Sequence, residues 1–99
     1  MALSARLSEQ DFALYVDKVQ ALFDSMVEEG SDQELFISGY LNGHFCLISS
    51  GCFHSQEFSI AALDRQMRDS LQNAFNNEEL QVTDQAQVIE FWQRCLALQ

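Results

Sequence analysis

The run Ser31–Ser50, SDQELFISGYLNGHFCLISS, constrains the fold more than any other stretch of this chain. Ser31 followed three residues later by Glu34 forms a capping box, in which hydroxyl and carboxylate satisfy each other's backbone N–H. Asp32 and Glu34 also place negative charge in the first turn, where the helix dipole favours it. At about 100° per residue, Phe36, Ile37, Tyr40, Leu41, Phe45, Leu47 and Ile48 cover well over half the circumference, leaving Ser38, Asn42 and Ser49 as a narrow polar strip. A helix apolar nearly all round belongs at the centre of its domain. Gly51 reads as its stop, so the central helix is expected over about 32–50.

Two features depart from plain core design. Gly39 and Gly43 lie four apart on one side, and each costs about 0.5–1 kcal/mol of helix propensity relative to Ala. That spacing reads as a surface on which another helix approaches closely; the segment is too polar for a membrane dimer motif. His44 falls inside the apolar arc and is the one polar side chain expected to be buried.

The rest of the chain supplies three two-sided helices. Residues 1–7 read as a short arm, with Ser8 capping a helix on which Phe12, Tyr15, Val16, Val19, Leu22, Phe23, Met26 and Val27 recur at helical spacing. Gly30 stops it and Ser31 at once caps the next, which predicts an antiparallel hairpin. Gly51–Phe58 reads as the longest irregular connection. Ser59 then caps a helix with Ile60, Leu63, Met67, Leu71, Ala74 and Phe75 as its stripe, Asp64 intruding at the edge and Asn76-Asn77 offering a left-handed end. Thr83 is expected to cap the last helix, with Val88, Ile89, Trp92, Cys95 and Leu96 on one face.

Composition agrees. The 99 residues include no Pro and only four Gly, too few turn-formers for many short strands, while 47 % hydrophobic content supports a core. The expectation is an all-α fold: a single domain over 1–99, built as a compact four-helix bundle with helices 1 to 3 stacked in sequence and helix 4 closing the open side. Fifteen acidic against five basic residues, net −10, exclude nucleic acid and anionic membrane surfaces as partners, since both require Lys and Arg. The N-terminal residues lack a signal-peptide pattern, no run is long enough to span a membrane, and three cysteines without CxxC suit free thiols in a reducing compartment. A cytoplasmic protein is expected.

The block Asp32-Gln33-Glu34-Leu35-Phe36-Ile37-Ser38-Gly39-Tyr40-Leu41-Asn42-Gly43-His44 resembles the D-x-E-L-F-x-S-G-Y-L-x-G-H run of the YfcL-like family of small bacterial proteins. Met26-Val27, Ser70-Leu71 and Asp84-Gln85-Ala86 with Val88 and Trp92 fit the same pattern in the same order, so the resemblance extends from about Phe12 to Leu96. It departs at Ser50–Phe58. The resemblance implies a helical cytoplasmic protein and carries over no catalytic residue.

Candidate sites are few. His44 could act as a general base or ligand with Tyr40 or Asp64 orienting it, or sit in the core with a carbonyl, a hydroxyl or Asp64 as its partner. Its replacement by Ala is expected to destabilise the fold. Cys46, Cys52 and His54 lack the fourth ligand and the spacing of a zinc site, so neither metal nor other cofactor is expected; Cys52 is placed in the loop as an accessible thiol. Asp24, Glu28, Glu29, Asp32 and Glu34 form the densest acidic corner, without EF-hand spacing. Phe53 and Phe58 either fold back over the bundle end or join Phe91 and Leu98 in an apolar patch. The reading favoured is a non-enzymatic binding or assembly module, taking a protein partner or forming a homodimer through the Gly39/Gly43 side or the Phe53–Phe58 loop; the alternative is a small enzyme or ligand-binding protein centred on His44, Tyr40 and Asp64.

Overall fold

A computed structural model of the chain, which describes residues 6–99, contains four helices: α1 (Glu9–Glu29), α2 (Asp32–Ser55), α3 (Ile60–Asn76) and α4 (Val82–Leu96). No strand occurs among the described residues, only one isolated bridge between Arg6 and Ser59. The fold is the expected all-α bundle. Its hub is α2, which packs against each of the other three helices.

The caps follow from local sequence. Ser8 Oγ accepts from the Asp11 N–H at 3.0 Å, and both arms of the Ser31/Glu34 box are formed, at 3.0 and 3.1 Å. Gly30 joins the two helices because a Cβ there would stand 2.7 Å from the Met26 carbonyl oxygen. Ser59 caps α3 by accepting from Ala62 N–H.

The helix termini also bring three corrections. Gly51 does not end α2, which runs a further turn to Ser55 and terminates at Gln56, left-handed at φ 59°. A single Gly costs a helix only about 1 kcal/mol. The added turn places Cys52 in the core and Phe53 against the Phe12 ring at 5.2 Å, which offsets that cost. At the end of α3 the left-handed residue is Glu78, φ 59°, rather than Asn76 or Asn77. Helix α4 begins two residues earlier than a Thr83 cap would allow: Gln81 occupies the cap without a side-chain bond.

Of the arm read over residues 1–7, residues 1–5 lie outside the described residues. Arg6 and Leu7 are pinned to the α2–α3 connection: Leu7 N–H donates to the Phe58 carbonyl at 2.7 Å, and Arg6 donates to that of Gln56.

The core is aromatic. Phe23 stacks on Phe91 across α1 and α4, Phe45 of α2 meets Phe23 and Trp92, and Phe12 packs against Phe53 and Phe58 at the other end. Among the described residues no helix is long and apolar enough to cross a membrane.

Candidate functional site

The α2 helix divides its residues by angle. Ile37, Ser38, Leu41, Phe45, Ser49 and Cys52 are buried, within one arc of the helix. Tyr40, Asn42, His44 and Ile48 lie half-buried at the margins. The opposite arc faces solvent, and it is not polar: it carries Phe36, Gly39, Gly43 and Leu47, with Phe36 48 % and Leu47 72 % exposed. No other helix uses the glycines. A Cβ built on Gly39 or Gly43 would meet nothing within 4 Å among the described residues. The close approach expected of that pair is therefore not made within the bundle, and the apolar circumference read from the sequence is only partly core.

His44 is half-buried, not enclosed; the buried polar side chains are Ser38 and Ser49, each bonded to a carbonyl in its own helix. The partner of His44 is Ser70 of α3, whose Oγ lies 2.7 Å from His44 Nδ1. Asp64 is elsewhere: it accepts from Trp92 Nε1 at 2.7 Å and from Arg68 Nε at 2.8 Å. Tyr40 lies beside His44, ring centres 5.0 Å apart, but its hydroxyl donates to Glu79. The trio His44, Tyr40 and Asp64 thus does not converge. Burial foremost, then the Glu79 carboxylate, pushes the Tyr40 hydroxyl up to about 12, so at neutral pH it is a donor.

A Ser–His contact is the first half of a nucleophile–base pair. Here it joins two helix faces, with Ser70 on the inner margin of α3. Cavities of about 250 and 270 Å³ lie away from it. The first is a groove between α2 and α4 over Ile37 and Phe91, with Arg94 spread 4.8 Å above the Phe91 ring. The second lies beside Tyr15, Lys18 and Ile60. The geometry around His44 fits a bond that fixes the α2–α3 register. Replacing His44 with Ala is expected to cost about 1 kcal/mol, and His44→Ala combined with Ser70→Ala should cost little more than either alone. Urea unfolding of the four proteins checks this; fully additive losses would mean the bond contributes nothing.

The remaining candidates separate. Cys46 and His54 are exposed while Cys52 is 1 % exposed, so the three do not share a face of α2. Burial raises the Cys52 thiol, with Glu57 adding to it, so Cys52 is a core residue and not an accessible thiol. Cys46 instead donates to Asn42 Oδ1 at 3.1 Å, and Gln20 of α1 bridges the same pair. Phe58 is buried and Phe53 packs inward on it and Phe12, while Phe91 is buried between helices. The alternative in which these residues form an apolar patch is not met among the described residues; of the large apolar side chains that are exposed, Leu35, Phe36 and Leu47 lie on α2, Leu14 and Val27 on α1 and Val82 on α4. In the acidic corner, Glu34 is held by the cap and its carboxyl is lowered chiefly by the Ser31 N–H.

The sequence model of the YfcL protein family matches residues 13–97. The chain belongs to the YfcL family. It is 37 % identical, over 81 residues, to the uncharacterised YfcL protein of Escherichia coli strain K12, covering 82 % of this chain and 88 % of that one. No solved structure matches it. In this YfcL-family chain the signature-like run Asp32–His44 is split between core and surface. Leu41 and Ser38 face inward, Tyr40 and His44 tie α2 to α3 and its following turn, and Phe36, Gly39 and Gly43 face out. Sequence reasoning allowed a hydroxyl as the partner of His44 without naming Ser70, and missed Glu79 as the partner of Tyr40. The signal for Ser70 was its place in the Ser70-Leu71 pair, at the edge of the α3 stripe.

Proposed function

We propose that the protein is a non-enzymatic cytoplasmic docking module, which binds a protein partner on the outer face of α2. One observation carries this reading: the bundle's central helix leaves Phe36, Gly39, Gly43 and Leu47 uncovered, side by side. Small monomeric domains seldom leave a contiguous apolar strip in water, and where they do it is a contact surface. Glycines one turn apart add a second property. They let a partner backbone come closer than any residue with a side chain would. Selection for stability alone would not keep them, because each exposed helical Gly costs about 0.5–1 kcal/mol against Ala.

The test is positional. A photo-crosslinking phenylalanine analogue is placed at Leu47 or, as control, at exposed Gln93 on α4, and irradiated in growing cells. A discrete adduct at position 47 is expected, absent at position 93. It should disappear when Gly43→Leu is added, a change the open space above Gly43 accommodates and which should leave the melting temperature unchanged or raised. No adduct at position 47, or equal adducts at both positions, would refute docking through this face.

A further inference from the structure

Resting on that docking reading, we infer that the occupant of the α2 face is a basic amphipathic helix of another protein. The argument is the charge around the strip. On the α1 side, Gln20 reaches Asn42 and Cys46 at the border of the glycines. Asp17 and Asp24 lie three residues before and four after Gln20, hence on the same side of α1, and both are exposed. On the α3 side the border is Tyr40, whose hydroxyl holds exposed Glu79. Both banks therefore carry carboxylates.

Among the described residues no Lys or Arg offsets them. All five Lys and Arg residues are placed elsewhere. Arg6 lies at Gln56 and Phe58, Arg65 near Glu57, Arg68 on Asp64 and Arg94 over Phe91. Lys18 lines the cavity beside Tyr15 and Ile60. The strip is thus a narrow apolar floor between two acidic banks, on a chain of net −10.

That pattern selects among occupants. A second copy would bring the same carboxylates against these, each copy carrying −10. An anionic lipid surface is repelled for the same reason. A helix with small or apolar residues along one stripe and Lys or Arg on its flanks fits both parts of the surface at once: stripe on floor, flanks on banks. The floor from Phe36 to Ser50 is about 21 Å long at 1.5 Å per residue, enough for about four turns of the partner. Charge complementarity of this kind speeds encounter and sets orientation, and it makes the affinity fall with salt.

The probes are three synthetic helical peptides sharing one Ala/Leu stripe and carrying Lys, Gln or Glu on the flanks. Each is titrated into the full chain and followed by amide chemical shifts. The Lys peptide is expected to bind, with the largest shifts at Gly39, Gly43 and Leu47, and to weaken on adding salt. Gly43→Leu should abolish binding. Neutralising the banks with Asp17→Asn, Asp24→Asn and Glu79→Gln should weaken it about tenfold, whereas an equal neutralisation at Glu9, Glu29 and Glu90 should not. If the two triple variants weaken the Lys peptide equally, attraction is only to net charge and the inference fails. It also fails if the Gln or Glu peptide binds as tightly, or if light scattering shows a dimer that Gly43→Leu dissolves. The adduct at Leu47 decides docking whatever the peptides' charge, so a basic-partner failure and a docking failure give different results.

Discussion

Replacing Trp92 with Ala is expected to cost about 3–5 kcal/mol, the largest loss of any single substitution in this chain. Trp92 is fully buried, its ring centre 6.0 Å from that of Phe45 on α2, and its indole N–H is bonded to Asp64 on α3. One side chain therefore holds α4 to two other helices. Domains of this size are stable by only about 5–15 kcal/mol, so a marginal variant would already be partly unfolded at 25 °C. Trp92→Phe separates the two contributions. It keeps most of the apolar volume but deprives Asp64 of one of its two donors, leaving Arg68 alone, and should cost about 1–3 kcal/mol. Urea unfolding followed by circular dichroism, which does not depend on the lost indole, gives both values. A Trp92→Ala loss below 1 kcal/mol would show that α4 is not fixed through this residue. Equal losses for the two variants would instead assign the whole effect to the indole–carboxylate bond.

That pair also shows where the sequence stops being readable. Asp64 stands out in the pattern, because a carboxylate at the edge of an apolar stripe needs a partner. The pattern does not say which. His44 and Trp92 are both conceivable partners in a four-helix bundle, and only the assembled fold brings the indole N–H to the carboxylate. The Phe12–Val27 repeat, the Ser31 box and the Gly30 hinge are different. Each depends on residues within one or two turns, so local chemistry is enough to place α1 and the start of α2. Gly51 fails for the converse reason. Its local preference is to end a helix, but burial of Cys52 and packing of Phe53 on Phe12 outweigh about 1 kcal/mol of propensity, and those contacts join residues some forty positions apart. Gly39 and Gly43 are the sharpest case. Their spacing is the same whether the neighbour is inside the bundle or outside it. Whether α2 is apolar all round for the core's sake or for a partner's cannot be read until the other three helices are in place.

The second large effect is a loss of stability in alkali. Tyr15 is buried in α1 and its hydroxyl donates to the Cys95 carbonyl at 3.0 Å. Burial is the main cause that pushes this phenol far above its ordinary value of 10.0, with the neighbouring Cys95 and Asp64 adding to it. The Cys95 thiol, itself inaccessible, is raised by burial from 9.0 to about 12. Both groups thus hold their protons more tightly folded than unfolded. Well below pH 9 neither state has ionised, and the contribution to stability is fully present and flat. Above it the unfolded chain releases the thiol proton near 9.0 and the phenol proton near 10.0, while the folded chain retains both, so stability falls as pH rises toward the folded values. For Cys95 alone, the gap between 9.0 and about 12 corresponds to roughly 4 kcal/mol lost by pH 12, at about 1.4 kcal/mol per pH unit. Added to the Tyr15 contribution, this is comparable to the whole stability of a small domain. Cooperative unfolding is therefore expected between pH 9 and 12, with tyrosinate absorbance and circular dichroism changing together. Tyr15→Phe should lower stability at pH 7 by about 1 kcal/mol, through the lost hydrogen bond, yet flatten the alkaline limb because one of the two titrating groups has been removed. A limb of unchanged slope in that variant would exclude Tyr15 as its source, and a wild-type chain that loses no stability between pH 9 and 12 would show that Tyr15 and Cys95 do not hold their protons more tightly when folded.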